Sequence, residues 1–178
     1  MELVAGVLQG VELVAAARDG DEGAFASLYH RFARMVHGIL LARVPRDEVD
    51  DLVQDVFITA WYRLDSLRDT GAFAAWLAMI ARNRAADYHR RAPATAELDE
   101  QIPAPDCPEE DRRAAEVLEI VRSLPEAYRE TLVLRLVEGM TGEEIAERTG
   151  LTHASVRVNL HRGMKLLREK LGSRIGHE

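Results

Sequence analysis

The chain has 178 residues, 47% hydrophobic and 30% charged, a composition typical of a folded protein with a sizeable core. The single cysteine, Cys107, excludes an internal disulfide and a metal site with four thiolate ligands, and no apolar run reaches the roughly 20 residues that cross a bilayer. We therefore expect a protein of the reducing cytoplasm, and its formal net charge of -7 argues against tight unaided binding to a polyanion.

Three helices are predicted in the first half of the chain. In residues 21–43 apolar side chains recur at steps of three and four, as on one face of a helix. The next segment, DEVDDLVQDVFITAWYRL, carries five carboxylates and no basic residue in its first turns, which suits the positive end of a helix dipole. In the third, FAAWLAMIARNRAADYHRR, basic residues gather in the second half. No useful length of sequence alternates as a strand does, so we expect an all-α fold.

The segment 93–112 separates two differently charged halves. It holds seven acidic side chains against one basic, and four of the six prolines of the chain. Proline and like charges resist compaction. We interpret this segment as a flexible acidic linker between two small helical domains, residues 1–92 and residues 113–178.

The stretch TGEEIAERTGLTHASVRVNLHR predicts two short helices joined by a tight turn. Thr141 and Glu144 have the spacing of a capping box. Gly150 can adopt the left-handed conformation that ends a helix, and Thr152 can cap the next one. Such a pair either binds DNA or is a plain packing unit. The six basic and two acidic side chains of residues 151–178 favour DNA.

Three segments resemble, in order, the conserved regions two and four of bacterial sigma factors of the extracytoplasmic-function group. They are DDLVQDVFITAWYRL, FAAWLAMIARNRAADYHRR and LPEAYRETLVLRLVEGMTGEEIAERTGLTHASVRVNLHRGMKLL, and the resemblance spans residues 11–92 and 113–171. It implies a transcription initiation factor with no catalytic residue and no cofactor. It also implies core RNA polymerase and promoter DNA as partners, with an anti-sigma protein as a third.

The resemblance implies three binding surfaces. The surface for the clamp helices of the largest polymerase subunit comprises Asp51, Gln54 and Asp55, supported from inside by Leu52 and Phe57. The surface for the minus-ten element comprises Arg68, Trp76, Arg82, Asn83, Arg84 and Arg90. The surface for the minus-thirty-five element comprises His153, Ala154, Ser155, Arg157 and Val158, followed by His161, Arg162 and Lys165, of which the last two are expected at phosphates.

Some of these assignments have alternatives. Trp76 could stack on an extruded base or belong to the core, and the acidic helix face could simply be solvated. Many relatives read SRLHRAR where this chain reads VNLHRGM, so Gly163 and Met164, together with Val158 and Asn159, replace polar or basic residues. This departure predicts the loss of a phosphate contact or two.

Other protein classes fit the sequence less well. A response regulator has a similar helix pair, but its receiver needs strands that residues 1–92 do not predict. Among the six histidines, His30 and His37 lie seven residues apart, and neither has an acidic residue four positions on, so we expect no metal site. A helical scaffold protein would lack the basic outer face of the last helix.

Overall fold

The computed structural model describes residues 2–91 and 109–175, with side chains described for residues 10–91 and 112–173. Within these ranges the helices are α1 (Glu2–Arg18), α2 (Glu22–Leu41), α3 (Val49–Arg63), α4 (Phe73–Arg91), α5 (Glu109–Arg122), α6 (Glu126–Leu136), α7 (Gly142–Thr149) and α8 (His153–Ile175). Short 3₁₀ turns cover Arg46–Glu48, Leu64–Ser66 and Thr70–Ala72. No strand occurs in the described ranges, so the all-α prediction is confirmed there.

The helices predicted for the first domain are present as α2, α3 and α4. The Asp21 carboxylate caps α2 by accepting a hydrogen bond from the Ala24 amide at 3.0 Å. The sequence did not predict α1, because glycines 6 and 10 weaken its helical pattern. Arg18 at the end of α1 donates to the carbonyl oxygens of Leu64 and Leu67, which ties this helix to the turn after α3.

The helix pair of the second domain has the predicted local structure. The Thr141 hydroxyl accepts from the Glu144 amide at 3.2 Å, and the Glu144 carboxylate accepts from the Thr141 amide at 2.8 Å. Gly150 has a φ of 78°, the left-handed conformation. The Thr152 hydroxyl accepts from the Ser155 amide at 3.1 Å at the start of α8. The capping box, the glycine turn and the second cap are therefore confirmed.

Most of the predicted linker, including Cys107, lies outside the described residues. Its last four residues are helical, because α5 begins at Glu109. The predicted linker therefore overlaps the beginning of this helix.

The two predicted domains pack directly against each other. Gly38 in the middle of α2 approaches α6 so closely that a Cβ there would lie 2.6 Å from Cδ2 of Leu134. The guanidinium of Arg122 in α5 donates to the carbonyl oxygens of Leu41, at 3.0 and 3.1 Å, and Val44, at 2.8 Å. It thereby satisfies carbonyls at the carboxyl end of α2. Because α6 lies between α8 and α2, its residues Glu130–Leu134 are all buried.

Candidate functional surfaces

The exposed face of α3 is acidic near its amino end. Asp51, Gln54 and Asp55 are all exposed, at the three- and four-residue steps that align side chains on one helix face. Leu52 is half-buried, and Phe57 is only 3% exposed. Phe57 therefore supports this face from within the core and cannot reach a partner directly.

The same face continues into two exposed apolar residues that the sequence analysis missed. Ile58 is 54% exposed and Tyr62 is 82% exposed, one and two helical turns beyond Gln54. The sequence does hold a signal for them, since apolar side chains at these positions fall outside the buried face of α3. A surface with carboxylates at one end and a bare aromatic at the other has the composition of a protein–protein interface.

The basic residues of α4 differ in what they contact. Asn83 is exposed, and Arg90 is exposed but forms an ion pair with Asp87 on the same helix. Arg84 is half-buried against α3, where it donates to the Thr59 hydroxyl at 3.1 Å. Only part of the predicted minus-ten surface therefore faces solvent in this arrangement.

The loop before α4 presents the remaining predicted minus-ten residues. Arg68 is exposed there, and the Asp69 carboxylate accepts from the Gly71 amide at 2.9 Å to hold the following turn. Trp76 is half-buried and packs against the core, with its ring centroid 5.8 Å from that of Phe73. The geometry gives Trp76 a core role and leaves part of its ring accessible.

Arg82 is half-buried, and its guanidinium reaches the second domain. Its guanidinium donates to both carboxylate oxygens of Glu130 in α6, at 2.6 and 3.1 Å, and to the Thr149 carbonyl oxygen at 3.1 Å. Glu130 is only 5% exposed, and its second oxygen also lies 2.7 Å from Arg43. The hydrogen bond to Glu130 raises the pKa of Arg82. One buried carboxylate thus bridges two arginines of the other domain.

A second carboxylate crosses the same boundary. Glu138, just beyond α6, lies 2.7 Å from Nδ1 of His37, and Arg34 donates to its backbone carbonyl. This hydrogen bond raises the pKa of His37, and Asp50 on α3 adds to the effect, whereas burial and Arg46 oppose it. The acidic partner that His37 lacks along its own helix is therefore supplied by the second domain.

The outer face of α8 is fully presented to solvent. Its exposed residues include all those predicted for the minus-thirty-five element: His153, Ala154, Ser155, Arg157, Val158, His161, Arg162 and Lys165. Val156, on the opposite side of the helix, is 1% exposed and anchors α8 in the core. The helix therefore combines a buried apolar stripe with a cationic face of the kind that enters the major groove.

The sequence-based interpretation of Gly163 is wrong. This residue is buried, and a Cβ there would lie 2.9 Å from Cδ1 of Leu132 and 3.1 Å from Cβ of Tyr128. Glycine at this position lets α8 lie directly on α6, so it does not mark a lost phosphate contact. Met164 is half-buried against the core as well.

In the part of the chain that the structure describes, no three histidine, cysteine, aspartate or glutamate side chains gather as a metal site would require. None of the described helices is long and apolar enough to cross a membrane.

Comparison with known proteins matches both halves of the chain. Residues 28–94 match the family model "Sigma-70 region 2", and residues 114–167 match "Sigma-70, region 4". The ECF RNA polymerase sigma-E factor of Haemophilus influenzae is 31% identical, over 89% of this chain and 93% of its own. The protein of the same name from Escherichia coli K12 is 32% identical, over 89% of this chain and 92% of its own.

Solved structures show the same architecture. CnrH, in complex with the cytosolic domain of CnrY, superimposes with a TM-score of 0.67 at 28% identity, covering 93% of this chain and 98% of CnrH. The sigma factor RpoE of Bartonella quintana, in complex with the anti-sigma factor NepR, gives a TM-score of 0.56 at 21% identity and shares the fold, over 83% of this chain and 96% of its own. With both regions matched in order and relatives aligned over nearly their whole length, the chain belongs to the sigma-70 family of RNA polymerase sigma factors, in the extracytoplasmic-function group.

Proposed function

We propose that this chain performs its function through three separate surfaces, each responsible for one contact. It is a transcription initiation factor that binds core RNA polymerase, directs it to a specific promoter class and aids promoter opening. It has no catalytic residue of its own and acts in the cytoplasm, where the polymerase works. The observation that carries the proposal is the ordered pair of sigma regions, with an acidic face on α3 and a cationic face on α8.

The exposed face of α3 is the polymerase-binding surface. Asp51, Gln54 and Asp55 form its polar part, in which the two carboxylates suit a basic protein surface and repel DNA. Ile58 and Tyr62 extend it with apolar area that would be buried on binding. Residues such as Phe57 act indirectly, by fixing the helix from the core.

The minus-ten surface combines α4 with the loop before it. We assign Asn83, Arg84 and Arg90 on α4 to the non-template strand, and Arg68 and Trp76 to the extruded base, as the family resemblance implies. Capture of single-stranded bases needs positive charge together with flat side chains, and this set provides both. Arg82 joins them when it is released from Glu130.

The minus-thirty-five surface is the outer face of α8. His153, Ala154, Ser155, Arg157 and Val158 occupy its first turns, the part of a recognition helix that reaches base edges. His161, Arg162 and Lys165 follow on the next turns, where contacts with phosphates set position rather than sequence.

This arrangement explains why an acidic protein can act on DNA. Affinity for DNA grows with the number of phosphates that are neutralised, so a chain of net charge -7 with modest basic faces binds duplex weakly by itself. When the chain is attached to the polymerase through α3, its minus-ten and minus-thirty-five surfaces, the two DNA readers, each bind weakly but act on one promoter at high effective concentration. Specificity then comes from this chain, and most of the non-specific attraction comes from the polymerase.

An anti-sigma protein is the further partner we propose. Support comes from CnrH, which shares this arrangement over nearly its whole length and was solved with the cytosolic domain of CnrY. The partner would be recovered by affinity purification of the full chain from its own cells. Recovery of polymerase subunits alone would argue against it.

Runoff transcription with purified core polymerase on a pool of genomic fragments tests the proposed function. We expect promoter-dependent starts with the wild type, weak activity at all promoters with Asp51→Ala, and an altered promoter preference with Arg157→Ala. Glu116→Ala and Arg168→Ala, which change exposed charges on α5 and α8, are the matched controls. Absence of promoter-dependent starts with the wild type would refute the proposal.

A further inference from the structure

We propose that the packing of the two domains is an autoinhibited resting state of the free chain, and that Glu130 is its latch. The inference deepens the proposed function, because it concerns how the minus-ten surface becomes available. It requires no partner protein to hold the closed state. It rests on the distance between the two DNA readers, on the partners of Arg82 and on the burial of Glu130.

The packed arrangement cannot place both readers on one promoter. The minus-ten and minus-thirty-five elements are named for their positions, so they lie roughly 25 base pairs apart. This is about 85 Å along duplex DNA at 3.4 Å per pair. In the structure the turn before α8 touches α4, since a Cβ at Gly150 would lie 3.2 Å from Cβ of Ala75. Binding to both elements therefore requires the domains to separate.

Glu130 occupies Arg82 in the way a phosphate would. Its carboxylate takes two hydrogen bonds from the same guanidinium, at 2.6 and 3.1 Å, the fork geometry that arginine also uses on phosphate. It also neutralises Arg43, at 2.7 Å. While the latch is closed, Arg82 is unavailable to the minus-ten strand.

The burial of Glu130 gives the latch a two-state character. Glu130 is 5% exposed in the packed arrangement, and the charges that compensate it, Arg43 and Arg82, both belong to the other domain. A buried carboxylate without its partners is strongly unfavourable, so partial separation that loses the arginines but excludes water is disfavoured. Full separation instead exposes Glu130 to water and frees both arginines.

A close contact between the α2 helix and side chains of the second domain also supports the closed state. Gly38 on α2 lies against Leu134 and Glu138, and a Cβ there would be 2.6 Å from the first and 2.9 Å from the second. Polymerase binding can shift the equilibrium toward the separated form only by the difference between its affinities for the separated and the packed forms. In the absence of polymerase, the packed form therefore reduces binding of the free chain to DNA.

Distances between spin labels in the free chain test the latch. Labels at Glu12→Cys and Arg168→Cys, both exposed and outside the proposed surfaces, would report domain separation in a Cys107→Ser background. We expect a single narrow distribution for the wild type, centred on the distance in the packed arrangement. Glu130→Gln should raise the open-to-closed ratio on the order of 100-fold, from the usual loss when a buried ion pair is broken, and give a long, broad distribution. Glu116→Gln is the matched control.

A second variant keeps the test decisive if Glu130→Gln folds poorly. Gly38→Ala favours helix α2 itself but adds a methyl group into the domain contact, so it should also open the chain. Gly172→Ala, with nothing within 4 Å of the added Cβ, should not. A broad distribution in the wild type, or a narrow one in both variants, would overturn the inference. Correct distances without promoter-dependent transcription would leave the latch standing and refute only the promoter role.

Discussion

Replacing Gly163, at the contact between α8 and α6, should have two opposing effects on the free energy of unfolding. Replacing glycine by alanine inside a helix gains about 0.8–1.0 kcal/mol in helix propensity. The added Cβ of Gly163→Ala would meet Leu132 at 2.9 Å and Tyr128 at 3.1 Å, and overpacking of this kind costs about 1–3 kcal/mol. We therefore expect the variant to be between neutral and about 2 kcal/mol less stable than the wild type.

Gly172→Ala on the same helix isolates the packing term, because its Cβ meets nothing within 4 Å. The two variants should differ by the overpacking cost of about 1–3 kcal/mol, or about 2–12 °C in Tm at 2–4 °C per kcal/mol for a chain of this size. Thermal melts followed by far-ultraviolet circular dichroism measure the difference. Equal stabilisation by the two substitutions would refute the packing argument.

Gly163→Arg separates the structural account from the sequence-based one. If Gly163 marked a missing phosphate contact, arginine there would strengthen binding to promoter DNA. Because the position is buried against α6, we expect Gly163→Arg to destabilise the second domain and weaken binding. Fluorescence anisotropy with a minus-thirty-five duplex distinguishes the two. Tighter binding by a stably folded variant would mean that α8 is not held as described.

Three further outcomes follow from single contacts. Thr141→Ala removes the cap of α7 and should cost about 0.5–2 kcal/mol in the free energy of unfolding, read from a denaturant midpoint; an unchanged midpoint would contradict it. Because the folded state raises the pKa of His37, its bond to Glu138 should stabilise the packed chain fully below pH ~6.5 and lose this effect as pH rises through the folded pKa. In thermal melts at several pH values, His37→Gln should reduce this dependence of stability on pH, whereas the exposed control His30→Gln should not. The same pH profile for His37→Gln and the wild type would contradict the role of the contact. Lys165→Ala should lower the salt slope of holoenzyme binding by about 1 without changing promoter preference, and a changed preference would reassign it to base reading.

Local signals explain which elements the sequence could predict. The helix pair of the second domain is specified within a dozen residues, by the Thr141 and Glu144 capping box and by glycine in the left-handed conformation at Gly150. The α4 segment likewise begins and ends where its apolar and basic residues indicate. The exposed residues of α8 could be predicted because the helical period places its cationic side chains on the side opposite the buried Val156.

The contacts between the domains could not be predicted in this way. Arg82 and Glu130 are 48 residues apart, and nothing in either local pattern says whether the arginine meets a phosphate or a carboxylate. Because α6 is buried on two sides, its apolar residues do not fall on a single face as they do in an amphipathic helix. The hydrophobic pattern therefore does not reveal that α6 packs against a second helix. Gly163 was misinterpreted for the same reason, because its close neighbour lies on α6 and outside its own helix.

The acidic character of the chain therefore has more than one physical consequence. Carboxylates on α3, such as Asp51, are exposed and suit a basic partner, whereas Glu130 is buried and neutralises arginines of its own chain. Both effects lower the affinity of the free chain for DNA, the first through net charge and the second by occupying Arg82. Only the second is reversible by domain separation, so the closed chain should bind single-stranded DNA more weakly than its net charge alone requires. Glu130→Gln should then raise that affinity more than the equal charge change of Glu116→Gln, because only the former frees a guanidinium.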